Sequence, residues 1–247
     1  MENLLFRCSS LGYIMTEPQS KADKEACNLS ETAKGHLVDV FVRERYKRQT
    51  DISNKFIEKG LMVEEDSITL YSRVKKHFFK KNEDHLKNDF IMGTPDLYKG
   101  ATIQTAEEII DIKSSWDIFT YFRNSVKKIN SQYYWQLQGY MALTGATKAT
   151  LAYCLVSTPD SFINDEKRRL FYKMNAATEE NELFQTACQH LELSMVYDDI
   201  PLHERVLEFH IERDDEEIER LYKRIAKCRE FIAELNKRFD SNLQIAA

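Results

Sequence analysis

No stretch of this 247-residue sequence approaches the roughly 18 consecutive apolar residues that a membrane-spanning helix needs. Met1–Arg7 holds too short an apolar run for a signal peptide, so the expectation is a soluble, cytoplasmic protein with no membrane partner. The five cysteines, Cys8, Cys27, Cys154, Cys188 and Cys228, are odd in number, scattered and never spaced as C-x-x-C, which argues against a disulfide framework or a zinc site. Internal repeats and low-complexity tracts are also absent. With a net charge of -5, the chain lacks the basic excess of a generally sticky nucleic-acid coat.

What is present suffices for a sizeable core. A hydrophobic content of 43% over this length fits one large domain. We read residues 1–247 as a single unit, with an N-terminal helical part (1–75), a sheet-bearing core (76–156) and an acidic C-terminal extension (157–247). Charge is unevenly spread: Ala176–Glu219 holds fourteen Asp and Glu against two Arg, whereas Arg43–Arg48, Arg73–Lys81 and Arg123–Lys128 are locally basic. A phosphate-binding groove from the first half and an acidic outer face from the second are compatible with that pattern; so are solvated helix faces.

Periodicity sketches the elements. Ser9-Ser10-Leu11-Gly12 opens a short helix, Gln19–Asn28 is a polar connector, and Leu29-Ser30-Glu31 caps a helix to about Arg48. A second helix after Asp51 carries Phe56, Ile57, Leu61, Val63 and Ile68, with Glu64, Glu65 and Asp66 in its middle. Phe90–Met92 and Glu108–Ile112 read as strands joined through a hairpin at Tyr98–Thr105. Helices are expected at Trp116–Lys127, Ser131–Leu143 and Glu179–Leu193, and strands at Ala149–Val156 and Val206–Ile211. A long helix from about Asp214 to Phe239 places Ile218, Leu221, Ile225, Cys228, Ile232, Leu235 and Phe239 on a 3-4 stripe, which either packs on its own domain or mediates self-association.

Three short motifs carry chemistry. Gly93-Thr-Pro-Asp96, Asp111-Ile-Lys113 and Gln136-x-x-x-Tyr140 follow one another in order. Asp96 and Asp111 converge if their segments form a hairpin, and two carboxylates with a backbone carbonyl, that of Ile112, suit a hard divalent cation. Asp111 and Lys113, two apart on a strand, share a face, so an ammonium would sit beside the cation and an anionic substrate. Glu64 is the first choice for a third carboxylate and Glu65 its competitor. Gln136 and Tyr140, four apart on a helix, share a face, where they can grip a phosphate backbone or simply hold a core turn; Gln138 lies on another face. Each motif alone has a bland alternative, a surface lysine or solvent-facing acids, but their ordered combination does not.

That combination resembles the signature of the PD-(D/E)XK nucleases, and within them the phage recombination exonucleases of the lambda-exonuclease or YqaJ type, over about Ser9–Val156. The resemblance implies an α/β (α+β) fold, a mixed central β-sheet flanked by helices in a restriction-endonuclease-like core, here with a long C-terminal helix. It also implies magnesium dependence, with manganese as a substitute. Carried over by residue, it makes Glu64, Asp96, Asp111 and the Ile112 carbonyl metal ligands, Lys113 the catalytic lysine, and Gln136, Gln138 and Tyr140 contacts to DNA. Arg7, Ser9 and Ser10 become receivers of a terminal 5′ phosphate, which a helix N-terminus suits. Asp111 stands where many relatives have Glu. The late cysteine triplet that holds an iron–sulfur cluster in the RecB-like branch is missing, so no such cluster is expected.

The resulting expectation is a magnesium-dependent deoxyribonuclease that degrades linear double-stranded DNA from its ends, 5′ to 3′, leaving 3′ single strands for phage-type recombination. An endonuclease on the same core, or a nuclease-fold DNA-binding protein without turnover, are the alternatives. By resemblance, a single-strand annealing protein is the expected partner, and a ring-shaped homo-oligomer in a bacterial or phage-infected cytoplasm the expected assembly.

Overall fold

A computed structural model describes residues 3–48 and 55–245. In chain order the elements are β1 (Phe6–Arg7), α1 (Leu11–Ile14), α2 (Lys21–Glu25), α3 (Glu31–Tyr46), α4 (Lys55–Met62), α5 (Glu64–Lys75), β2 (Leu86–Lys87), β3 (Ile91–Gly93), β4 (Leu97–Lys99), β5 (Glu108–Ser114), α6 (Ile118–Ser125), α7 (Ser131–Thr144), β6 (Lys148–Cys154), α8 (Asp160–Met174), α9 (Glu182–Leu193), β7 (Val206–Glu212) and α10 (Asp215–Ile245). Four strands form the central mixed sheet in the order β4-β5-β6-β7, with β5 and β6 parallel and both outer pairs antiparallel. A small second sheet, β1-β3-β2, stands beside it.

The sheet is covered on both faces, so β5 and β6 are buried over a continuous run at their centres rather than at alternate residues. Ile109, Ala149 and Leu151 face α7, α3 and α10, while Leu97, Ile110, Ile112, Ala152 and Cys154 face α5 through Val63, Ile68, Leu70 and Tyr71. Each such aliphatic side chain withdrawn from water contributes about 1.5–3 kcal/mol. Of the two helices between β5 and β6, α7 is started by Asn130, whose Oδ1 accepts the Gln132 N–H (2.9 Å), and stopped at Gly145 with φ 81°. Ser30 caps α3 in the same way, its Oγ accepting the Ala33 N–H at 3.0 Å.

Several expectations change. The polar connector Gln19–Asn28 contains the short helix α2, capped by Ser20. The start of the helix expected after Asp51 lies outside the described residues; from Lys55 onward the helix is broken at Val63 (φ -104°, ψ 13°). Val63 is fully buried, and the break places Glu64, Glu65 and Asp66 in the first turn of α5, where the helix dipole favours negative charge, rather than mid-helix. β3 and β5 are not hairpin partners: β3 belongs to the small sheet, and β5 pairs with β4, which overlaps the start of the stretch read as the connection. Asp160–Met174, unassigned from sequence, forms α8.

The 3-4 stripe of α10 is interior. Ile218, Leu221, Ile225, Cys228 and Ile232 are buried against α3, α7 and α1, and Phe239 stacks on Phe41 at 5.7 Å. Packing on its own domain, the first of the two readings, is therefore the one realised. No helix among the described residues is long and apolar enough to cross a membrane.

Candidate active site

Asp96 immediately precedes β4, and the pairing of Leu97 with Ile110 sets it across from Asp111. Its Oδ2 accepts the Ile112 N–H at 2.8 Å, which pins the motif loop to β5. A second clamp comes from Asn82: its N–H donates to the Asp96 carbonyl (2.8 Å) and its Nδ2 to the Pro95 carbonyl (2.9 Å). Nothing in the sequence pointed to Asn82; a buried amide between two charged runs has no periodic signature.

Asp111 and Lys113 share the α7-facing side of β5, as the two-residue spacing requires, and their side chains meet at 2.7 Å. Asp111 is 1% exposed. Gln136 Nε2 donates both to Asp111 Oδ1 (3.0 Å) and to the Tyr140 hydroxyl (2.9 Å). Asp111 Oδ2 is buried and has the Lys113 ammonium as its one polar neighbour, which leaves it able to accept from a further positive group. The Lys113 ammonium also lies 5.2 Å from the centre of the Tyr133 ring.

Electrostatics at this point leave negative charge in excess. Burial first, and then the neighbouring Asp111 charge, push the Asp96 carboxyl up to about 7, although Lys113 and the Ile112 N–H act in the opposite sense. Burial alone would lower the Lys113 ammonium, but Asp111 and Asp96 outweigh it and hold the group charged, its affinity for the proton raised. Burial and Asp111 likewise raise the Tyr140 hydroxyl, which stays protonated. Two carboxylates thus face one ammonium.

Glu64 is half-buried and paired with Lys81 at 2.6 Å; of the three consecutive acids, only its charge bears on Asp96, while Glu65 and Asp66 face solvent. No group of three His, Cys, Asp or Glu residues forms a ready metal cluster among the described residues, so Glu64 stands near the aspartates without joining them. The donor set still fits a hard cation: two oxygen-bearing side chains, one with unsatisfied buried lone pairs, and excess negative charge.

The expected contacts to nucleic acid divide. Gln136 and Tyr140 are buried and serve Asp111 rather than presenting themselves to a ligand. Gln138 is a correction: it is fully buried and turned to the far side, where its Nε2 donates to the Glu212 carbonyl (2.9 Å) and its Oε1 accepts the Asp214 N–H (3.1 Å). It locks α7 to the turn between β7 and α10. The N-terminal trio is brought near the motif loop, because β1 pairs with β3 with Arg7 opposite Met92. Close approach fixes that placement: a Cβ on Gly139 would lie 2.6 Å from Leu11 Cδ1, and one on Gly93 would lie 3.1 Å from Cys8 Cβ. Arg7 and Ser9 are exposed, and Ser10 Oγ donates to the Arg7 carbonyl (2.9 Å) rather than capping α1.

A sheet flanked by helices, with Asp96, Asp111 and Lys113 gathered at adjoining strands, defines the PD-(D/E)XK nuclease core. No family model and no curated protein matches the sequence. Among solved structures, a phage-related exonuclease from Haemophilus somnus 129PT aligns with a TM-score of 0.72 and 28% identity, over 96% of this chain and 97% of that one. An alkaline exonuclease from Laribacter hongkongensis aligns with a TM-score of 0.60 and 16% identity, over 98% and 93%. These neighbours support the resemblance of this chain to the phage exonucleases of that superfamily, the lambda-exonuclease and YqaJ-like group.

Proposed function

We propose that this chain is a metal-dependent DNA exonuclease that shortens linear double-stranded DNA, 5′ to 3′, and leaves 3′ single strands for recombination. Likeness to the Haemophilus phage-related exonuclease over nearly its whole length supports the exonuclease activity. The observation that carries the chemistry is the buried Asp111 carboxylate, whose Oδ2 meets only the Lys113 ammonium, beside Asp96, whose carboxyl is itself pushed toward neutrality by burial and by Asp111.

Asp96 and Asp111, with the Ile112 carbonyl and Glu64, would hold magnesium or manganese, Glu64 exchanging Lys81 for the cation. The bound ion supplies Lewis acidity toward a phosphate oxygen and a more acidic water. The chain does the rest. Lys113, kept protonated by two carboxylates, presents a fixed positive charge to the attacked phosphate or its nucleophile. Gln136 orients Asp111, and Tyr140 orients Gln136, as partners behind a metal ligand commonly do. Arg7 and Ser9, exposed beside the motif loop, are placed to receive a terminal phosphate, with Ser10 holding the backbone of Arg7.

We also propose a ring-shaped homo-oligomer, an annealing protein as partner, and a bacterial or phage-infected cytoplasm as the setting. The stripe of α10 does not support the ring, since it is spent internally; Leu61 and Met62 on α4 and Phe119, Phe122 and Val126 on and just after α6 are among the exposed apolar side chains that could serve it. A monomer by light scattering at working concentration would sink that part. The activity is tested with 5′- or 3′-labelled linear duplex and closed circular duplex under magnesium. Release of the 5′ label from linear DNA with the circle intact is expected; nicking of the circle would make the protein an endonuclease instead.

A further inference from the structure

The segment Arg73–Lys81 reads Arg-Val-Lys-Lys-His-Phe-Phe-Lys-Lys: five Lys or Arg and no acid. Its backbone is fixed on both sides of Phe78. Lys76 ends α5 in the left-handed conformation (φ 52°), the His77 N–H donates to the Ser72 carbonyl (3.1 Å), and the Phe79 N–H donates to Ser72 Oγ (3.2 Å). Phe79 is buried against Tyr71, with ring centres 5.3 Å apart, and the His77 ring meets Phe79 edge-on at 4.6 Å. Phe78 is therefore held out, 85% exposed, from a turn anchored at both flanks. Leaving such a ring in water forgoes about 1.5–3 kcal/mol of burial.

Two of the five cations are neutralised, Lys75 by Glu208 and Lys81 by Glu64. Arg73, Lys76 and Lys80 are exposed and have no ion-pair partner among the described residues. With Phe78 they line a groove of about 600 Å³, bordered by Glu65 and Glu83. The groove adjoins the catalytic carboxylates: Lys81 reaches Glu64, and Asn82, the next residue, clamps Asp96.

We propose that Phe78, Arg73, Lys76 and Lys80 form a platform for single-stranded DNA, the ring stacking on an unpaired base and the three cations following its phosphates. An aromatic face needs a base whose own face is free, which a stacked duplex denies, and fixed cations around it match a backbone with one charge per nucleotide. The ordered turn means the ring loses little freedom on binding. The platform deepens the exonuclease reading and rests on it for its ligand: a strand freed beside the carboxylates would meet this groove first.

Fluorescence anisotropy of a labelled oligothymidylate, in EDTA so that nothing is cut, tests it. Phe78→Ala should bind about 5- to 150-fold more weakly, the effect of one lost base stack, while Phe78→Tyr binds like the native chain. Three phosphate contacts give a slope of log affinity against log salt of about -2, which the combined Arg73→Ala, Lys76→Ala, Lys80→Ala variant flattens. All these positions are exposed, so circular dichroism should confirm an unchanged fold. Unaltered affinity of Phe78→Ala, or equal weakening for single strand and blunt duplex, overturns the proposal. Because binding needs no turnover, failure of the hydrolytic reading, seen as full digestion by Lys113→Ala, would leave this result readable by itself.

Discussion

Metal-free protein should become more stable when Asp96 is changed to Asn, and increasingly so as pH rises above the ordinary carboxylate range. The Asp96 carboxyl is moved from 3.8 to about 7 by burial and by Asp111. At roughly 1.36 kcal/mol for each tenfold change in proton affinity, its charged form is disfavoured by at most about 4 kcal/mol in the fold. The folded value lies above the unfolded one, so the stability tied to this group is fully present below about pH 4 and is lost as pH rises through about 7. Asn does not titrate, and its side-chain oxygen can still accept the Ile112 N–H that Oδ2 accepts now. The stability gap between Asp96→Asn and native protein should therefore widen from pH 4.5 to pH 8, toward about 4 kcal/mol. For a domain of this size that is about 8–16 °C in Tm. Urea unfolding in EDTA at both pH values measures it. Magnesium at about 100 times its Kd should then add about 2.7 kcal/mol to the native protein and far less to the variant. A gap that stays constant or shrinks with pH would refute the reasoning that two buried carboxylates are held together awaiting a cation.

Other perturbations separate positioning from chemistry. Gln136→Ala removes the donor to Asp111 and should weaken magnesium affinity about 10- to 100-fold by calorimetry, with the fold retained. Lys59 is 1% exposed, donates to the Ser115 (3.1 Å) and Trp116 (2.6 Å) carbonyls, and is lowered by burial to about 8. Its folded value lies below the unfolded one, so native stability should rise between pH 8 and 10, and Lys59→Met should flatten that rise in urea titrations. Ile225→Ala, in the buried stripe of α10, should cost about 2–4 kcal/mol of stability without changing the oligomeric state; altered assembly at unchanged stability would contradict the internal packing.

The gathering of the candidate site residues was more legible in the sequence than their surroundings, for physical reasons. Asp111 and Lys113 were legible because a strand has period two, and Gln136 and Tyr140 because a helix returns every four residues. Buried strands β5 and β6 announced themselves as β-branched and small apolar runs. What stayed hidden depends on partners distant in the chain. β4 is three residues long and shows no pattern of its own; it exists because β5 offers it an edge. The break at Val63 follows from that side chain's burial beneath the sheet, which no local propensity encodes. Gln138 has the spacing of a helix position but not of Gln136, and the difference of two residues, about 200° around a helix, turns it to the opposite side. Arg73–Lys81 was visible as a basic run, yet only the anchoring of its turn through Ser72 reveals that Phe78 is presented.

The most direct test of the central claim is digestion of linear duplex DNA by native protein and by Lys113→Ala under saturating magnesium. In the function proposed above Lys113 presents a fixed positive charge to the attacked phosphate, so its loss should lower the rate about 100- to 1,000-fold while leaving DNA binding within a few-fold. Undiminished digestion by the variant would contradict the assignment of Asp96, Asp111 and Lys113 as the reacting centre.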